Sequence, residues 1–86
     1  MDTFQLRVTK TETKEWPVAE SFELFGHHWV VHTPHIGGGY RVSHRATGYG
    51  VPKTFADTKD EAKALGVAYL TEKQDKIDEV IRQVST

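Results

Sequence analysis

The residues best able to do chemistry here are five histidines, His27, His28, His32, His35 and His44. A neutral imidazole can hold a metal, and near neutral pH it can move a proton or act as a pH sensor. On extended backbone His28 and His32 share one face, and His44 falls where a neighbouring strand would put it. Such a trio could hold zinc with an open fourth position. Two facts weigh against it. No Asp or Glu lies between Glu23 and Asp57 to act as a base or orient a ligand ring, and no zinc-ligand spacing is matched. Satisfied or solvent-facing histidines, with no metal and no cofactor, are the expectation.

Other chemistries fail on similar grounds. Ser43 and His44 are adjacent, so on a strand they point to opposite faces and form no nucleophile–base dyad with each other. Gly37-Gly38-Gly39 lacks the Gly-Lys-Ser/Thr ending of a phosphate loop and no helix follows it, so it reads as a hairpin loop and a contact point for a partner. Glu12, Glu15, Glu20 and Glu23 show no paired arrangement. With no cysteine there is no thiolate, disulfide or Cys nucleophile. The chain is therefore expected not to be an enzyme.

The elements that would carry these residues make one small domain. The chain has 86 residues, 37% hydrophobic and 27% charged, with 11 basic against 12 acidic side chains. A net charge of −1 argues against a polyanion-coating protein. No apolar run is long enough for a membrane span and no signal-peptide pattern is present, so a cytoplasmic protein is expected. Phe4, Leu6 and Val8 alternate on a first strand, whose polar continuation over 9–14 reads as a charged edge that Trp16-Pro17 ends. Residues 17–25 read either as a short helix or as a strand turning through a type II′ Gly26-His27 pair into a strand over 28–33, and the hairpin is favoured. There Trp29 and Val31 share one face, and His28, Val30 and His32 the other. Tyr40, Val42 and His44 alternate with Arg41, Ser43 and Arg45 on the next strand. Ala46-Thr47-Gly48 is a turn, and Tyr49 to Phe55 reads as a last strand, at an edge because of Pro52.

Thr58-Lys59-Asp60-Glu61 is a capping box that opens a helix. Ala62, Leu65, Gly66 and Tyr69 have helical spacing, and Ile77, Val80, Ile81 and Val84 repeat it. A break near residue 71 would leave 71–86 as a separate helical arm. The second stripe then either docks on the protein's own sheet or forms a dimer or partner contact. The fold class expected is α+β: a mainly antiparallel sheet of three to five strands in two layers, with a C-terminal helix packed on one face. The expected core is Phe4, Leu6, Val8, Phe22, Leu24, Trp29, Val31, Val42, Phe55, Leu65 and Tyr69.

Charge is unevenly placed. Residues 24–56 carry Arg41, Arg45 and Lys53 and no acid, whereas the segments before and after are each net −2. The basic residues could meet a phosphate backbone. The acids Asp57, Asp60, Glu61, Glu72, Asp75, Asp78 and Glu79 could meet a basic surface, or simply solvate the helix and pair at i, i+4. With His35 and Gly38 of the glycine loop, these are the candidate partner-binding residues.

Two resemblances follow. Tyr40-Arg41-Val42-Ser43-His44, Gly48, then Phe55, Thr58, Lys59, Glu61 and Ala62 resemble the strand–turn–strand–helix end of the arm-type DNA-binding domains of phage and transposon integrases. That resemblance implies a sheet in the major groove, with Arg41, Arg45 and Lys53 facing DNA. In size and style the chain also resembles the small accessory proteins of bacteriophages and mobile elements, anti-CRISPR proteins among them. This second resemblance implies an inhibitor that docks on a bacterial defence complex in the host cytoplasm. The expected partner is a protein or nucleoprotein complex, with nucleic acid as the alternative, no membrane, and a monomer or homodimer. A β-sheet nucleic-acid-binding module is the second reading and a metal-dependent enzyme the third.

Overall fold

A computed structural model describes residues 2–9, 11–34, 37–77 and 79. It is an α+β fold of five antiparallel strands and a C-terminal helix. The strands form two sheets. β1 (Thr3–Arg7) pairs with β2 (Thr13–Pro17), and β3 (Glu20–Leu24), β4 (His27–His32) and β5 (Arg41–His44) form a second sheet in that order. The helix α1 (Lys59–Glu72) contacts β4 and β5. Trp29, Val31 and Val42 share a core cluster with Ala62 and Leu70 of the helix, while Val30 clusters with Phe4 and Leu6 of the hairpin. The central sheet thus lies between helix and hairpin, giving three layers where two were expected.

The hairpin explains several departures from the sequence pattern. Thr9 does not continue a long edge strand. Its hydroxyl accepts from the amides of Thr11 and Glu12, at 3.3 and 3.0 Å, and Val8 N–H donates to Glu12 O, so the chain reverses there. Trp16 then lies opposite Phe4, and Pro17 closes the strand. The favoured hairpin over 20–32 is present, but its turn is Phe25-Gly26, one residue earlier than expected. Positive φ at both (56° and 78°) makes it type I′ instead of II′.

Tyr49 to Phe55 is not a strand. It pairs with the β5 region only through bridges at Gly50 and Ala56, arching between them at Pro52 and Lys53. Thr54 spans the gap: its hydroxyl donates to Val51 O and accepts from Val42 N–H. This arch turns Phe55 outward, 56% exposed, instead of into the expected core, and buries Val51.

Thr58 caps α1 as expected, its side chain accepting from Glu61 N–H at 3.2 Å. The buried face is Ala62, Gly66 and Leu70; Leu65 is 42% exposed and Tyr69 only half-buried. Gly66 sets this phase, because the helix crosses so close to β5 that a Cβ there would lie 2.9 Å from Val42 Cγ2. The helix breaks at Lys73 and resumes over 74–77. Ile77 packs into the same core as Leu70, so at this position the second stripe docks on the protein's own core. Val80, Ile81 and Val84 lie outside the described residues, as do His35 and Asp78.

Gly48 joins the two sheets. Its φ is +75°, and a Cβ there would fall 2.2 Å from Gln5 O, whereas Gly26 (φ +78°) faces open space. Gly26→Ala should therefore cost about 1–2 kcal/mol, the penalty for a left-handed residue alone. Gly48→Ala should cost more, because β1 must also move away. Urea denaturation of both variants checks this, and equal losses would contradict it.

Candidate functional site

Register brings together a pair that adjacency hides. Ser43 lies opposite Val30 on the hairpin-facing side, and His32 is the next residue of β4 on that side. His32 Nε2 is 2.6 Å from Ser43 Oγ, and Nδ1 is 2.6 Å from Thr33 O. A carbonyl only accepts, so Nδ1 carries the proton and the Ser43 hydroxyl donates to Nε2. Thr33 O also accepts from the Trp16 indole N–H at 2.8 Å, and the Phe4 ring lies 4.9 Å from the imidazole. The distance suits a nucleophile and base, but Ser43 is 0% and His32 1% exposed, so no substrate reaches them in this structure. The β4–β5 register is the signal for this pair, and it is set across the long connection between His32 and Arg41, which no tight turn in the sequence fixes.

The other histidines divide between faces. His44 lies opposite Trp29 on the helix side, its ring 5.0 Å from Trp29 and 5.3 Å from His27. His44 Nδ1 is 2.8 Å from Thr47 Oγ1. His28 is exposed and 3.5 Å from Glu23. His44 is thus across the sheet from His32, and among the described residues no three His, Asp or Glu side chains are grouped to hold a metal. Burial lowers the pKa of His32 and of His44, with the charges of Arg41 and His27 acting in the same direction.

The basic candidates are largely engaged. Arg45 makes a two-pronged ion pair with Asp2, at 2.6 and 3.1 Å, and holds that carboxyl below its ordinary pKa. The Arg41 guanidinium lies 4.8 Å over the Phe55 ring and is half-buried, which lowers its pKa. Lys53 is exposed at the arch, and Gly38 is exposed in its loop.

The acidic candidates are open. Asp57, Asp60, Glu61, Glu72, Asp75 and Glu79 are all exposed. Between Glu61 and Glu72 the exposed positions of α1 include Ala64, Leu65 and Ala68, so the outer face is apolar in its middle and acidic at its ends.

A cavity of about 450 Å³ opens between the Tyr49–Pro52 arch and the helix break. Trp29, Val51, Leu70 and Ile77 form its apolar floor, and Lys73 and Lys76 are lining residues with exposed side chains. Sequence reading missed this site because the arch was taken for a strand.

No family model matches this chain, and no curated protein or solved structure is significantly similar to it.

Two predictions follow from the buried groups. Ser43→Ala leaves His32 Nε2 buried without a donor and should cost about 1–3 kcal/mol in urea denaturation. Because His32 and His44 have lowered pKa values in the fold, the unfolded chain binds protons first as pH falls. Their contribution to stability is complete above the unfolded value, near 6.5, and shrinks as pH falls from there towards the folded values. His44→Gln should make the loss of stability between about pH 7 and pH 5 shallower, and an unchanged slope would contradict it.

Proposed function

We propose that this chain is a small non-catalytic binding protein that docks on a nucleoprotein complex of a bacterial defence system, using the outer face of α1. The observation that supports this reading is the arrangement of that face. Ala64, Leu65 and Ala68 supply a shallow apolar centre, Asp60 and Glu61 one end, and Glu72 and Asp75 the other. Among the described residues none of these four carboxylates is ion-paired. A helix face with an apolar centre and acids at its rim complements a basic protein groove that binds nucleic acid. The choice of a defence complex rests on the chain's likeness in size and style to phage accessory proteins.

The basic-hairpin alternative has less geometric support. Arg45 would have to leave Asp2, and Arg41 its place over Phe55, before either met a phosphate. A binder built on these residues would show affinity that falls steeply with salt.

The test is competition. A guide-loaded CRISPR effector is mixed with labelled target DNA and increasing amounts of this protein. The wild-type chain should displace the DNA, and Asp60→Lys/Glu61→Lys/Glu72→Lys should weaken displacement about tenfold or more. Free duplex DNA should not bind in an anisotropy titration at low salt. DNA binding that is lost with Arg41→Ala/Arg45→Ala would overturn the docking reading in favour of the hairpin.

A further inference from the structure

We propose that the cavity beside the helix break is a binding site for a small amphipathic anion, an apolar body carrying one carboxylate or similar head group. No residue of the α1 docking face lines this cavity, so the inference stands apart from that reading.

Its volume, about 450 Å³, lies in the range of small-ligand sites. The buried floor is one continuous apolar surface from the sheet (Trp29), the arch (Val51) and the helical segments (Leu70, Ile77), with the rings of Tyr49 and Tyr69 beside it. Such a surface recognises an apolar body by removing it from water. The head group is specified by charge. Among the described residues Lys73 and Lys76 line the cavity, and no Asp or Glu does. This is notable because residues 57–86 are net −2. Glu72 and Asp75 lie in the same stretch of chain but are absent from the lining.

The local backbone explains why the two lysines act together. Lys73 ends α1, with its N–H donating to Tyr69 O, and Lys76 N–H donates back to Lys73 O at 2.9 Å. Residues three apart on a helical turn share a side, and Ile77 joins them in the lining. Both side chains are exposed, so their ammonium heads stay in water while their stems border the apolar floor. The hydroxyl of Thr47, beside His44, offers an uncharged polar contact in the lining.

The experiment is an amide NMR titration of the full chain with decanoate below its micelle concentration, with decylammonium and decanol as matched probes. Decanoate should shift the amides of Gly50, Val51, Leu70 and Ile77 saturably, and decylammonium should bind about tenfold more weakly or less. Lys73→Gln/Lys76→Gln, at exposed positions and with an unchanged circular dichroism spectrum, should lower decanoate affinity about five- to tenfold and remove its preference over decanol. Equal affinity for the anion and the cation would overturn the site, and would leave the lysines as stabilisers of the helix C-terminus only. Shifts of the same amides on concentrating the protein without ligand would overturn it in favour of a second copy.

Discussion

β4 is buried on both faces, and the rest of the structure is arranged around that constraint. Trp29 and Val31 face the helix; Val30 and His32 face the hairpin. Three apolar residues gain from this burial, but His32 brings two ring nitrogens that would be costly if left unpaired. Ser43 and the Thr33 carbonyl satisfy them, and the same carbonyl takes the Trp16 N–H from the hairpin. The polar line from Trp16 to Ser43 therefore joins the two sheets where no strand pairing does. A second join lies at Gly48, whose carbonyl accepts from Arg7 N–H, and a third is the Arg45–Asp2 pair.

This arrangement shows what was legible in the sequence. The N-cap at Thr58, the break near residue 71 and the alternation of Phe4 and Leu6 are local signals, and each appears in the fold where expected. What escaped depends on non-local packing. Val30 shares its face with His28 and His32 and is absent from the expected core, and only the hairpin folding over it makes it core. Leu65 fits the helical period as well as Leu70 does, but Gly66 against Val42 fixes the rotation of the helix and leaves Leu65 outside. The Thr54 hydroxyl replaces a ladder partner, so a β-rich run became an arch.

The same non-local effects redistribute the candidate site. Arg41 and Arg45 carry two of the three formal positive charges of the middle segment. In the fold one covers Phe55 and the other anchors Asp2, so formal charge by segment overstates the charge offered to a partner. The helix acids behave oppositely. Asp60, Glu61 and Glu72 are in no ion pair among the described residues and keep the exposure that their sequence positions suggested.

The helix break connects core and surface. An uninterrupted α1 would carry its period past residue 73, so the residues after it would follow the face set by Gly66. Ile77, seven residues past Leu70, keeps to that face across the break at Lys73 and packs in the core beside Leu70. The arch opposite cannot close the space between them, because Val51 is held to Val42 and Thr54 to Val51. A cavity bordered by two lysines is thus a geometric consequence of a broken helix meeting a pinned arch. Its charge comes from which side of the resumed turn carries Lys76.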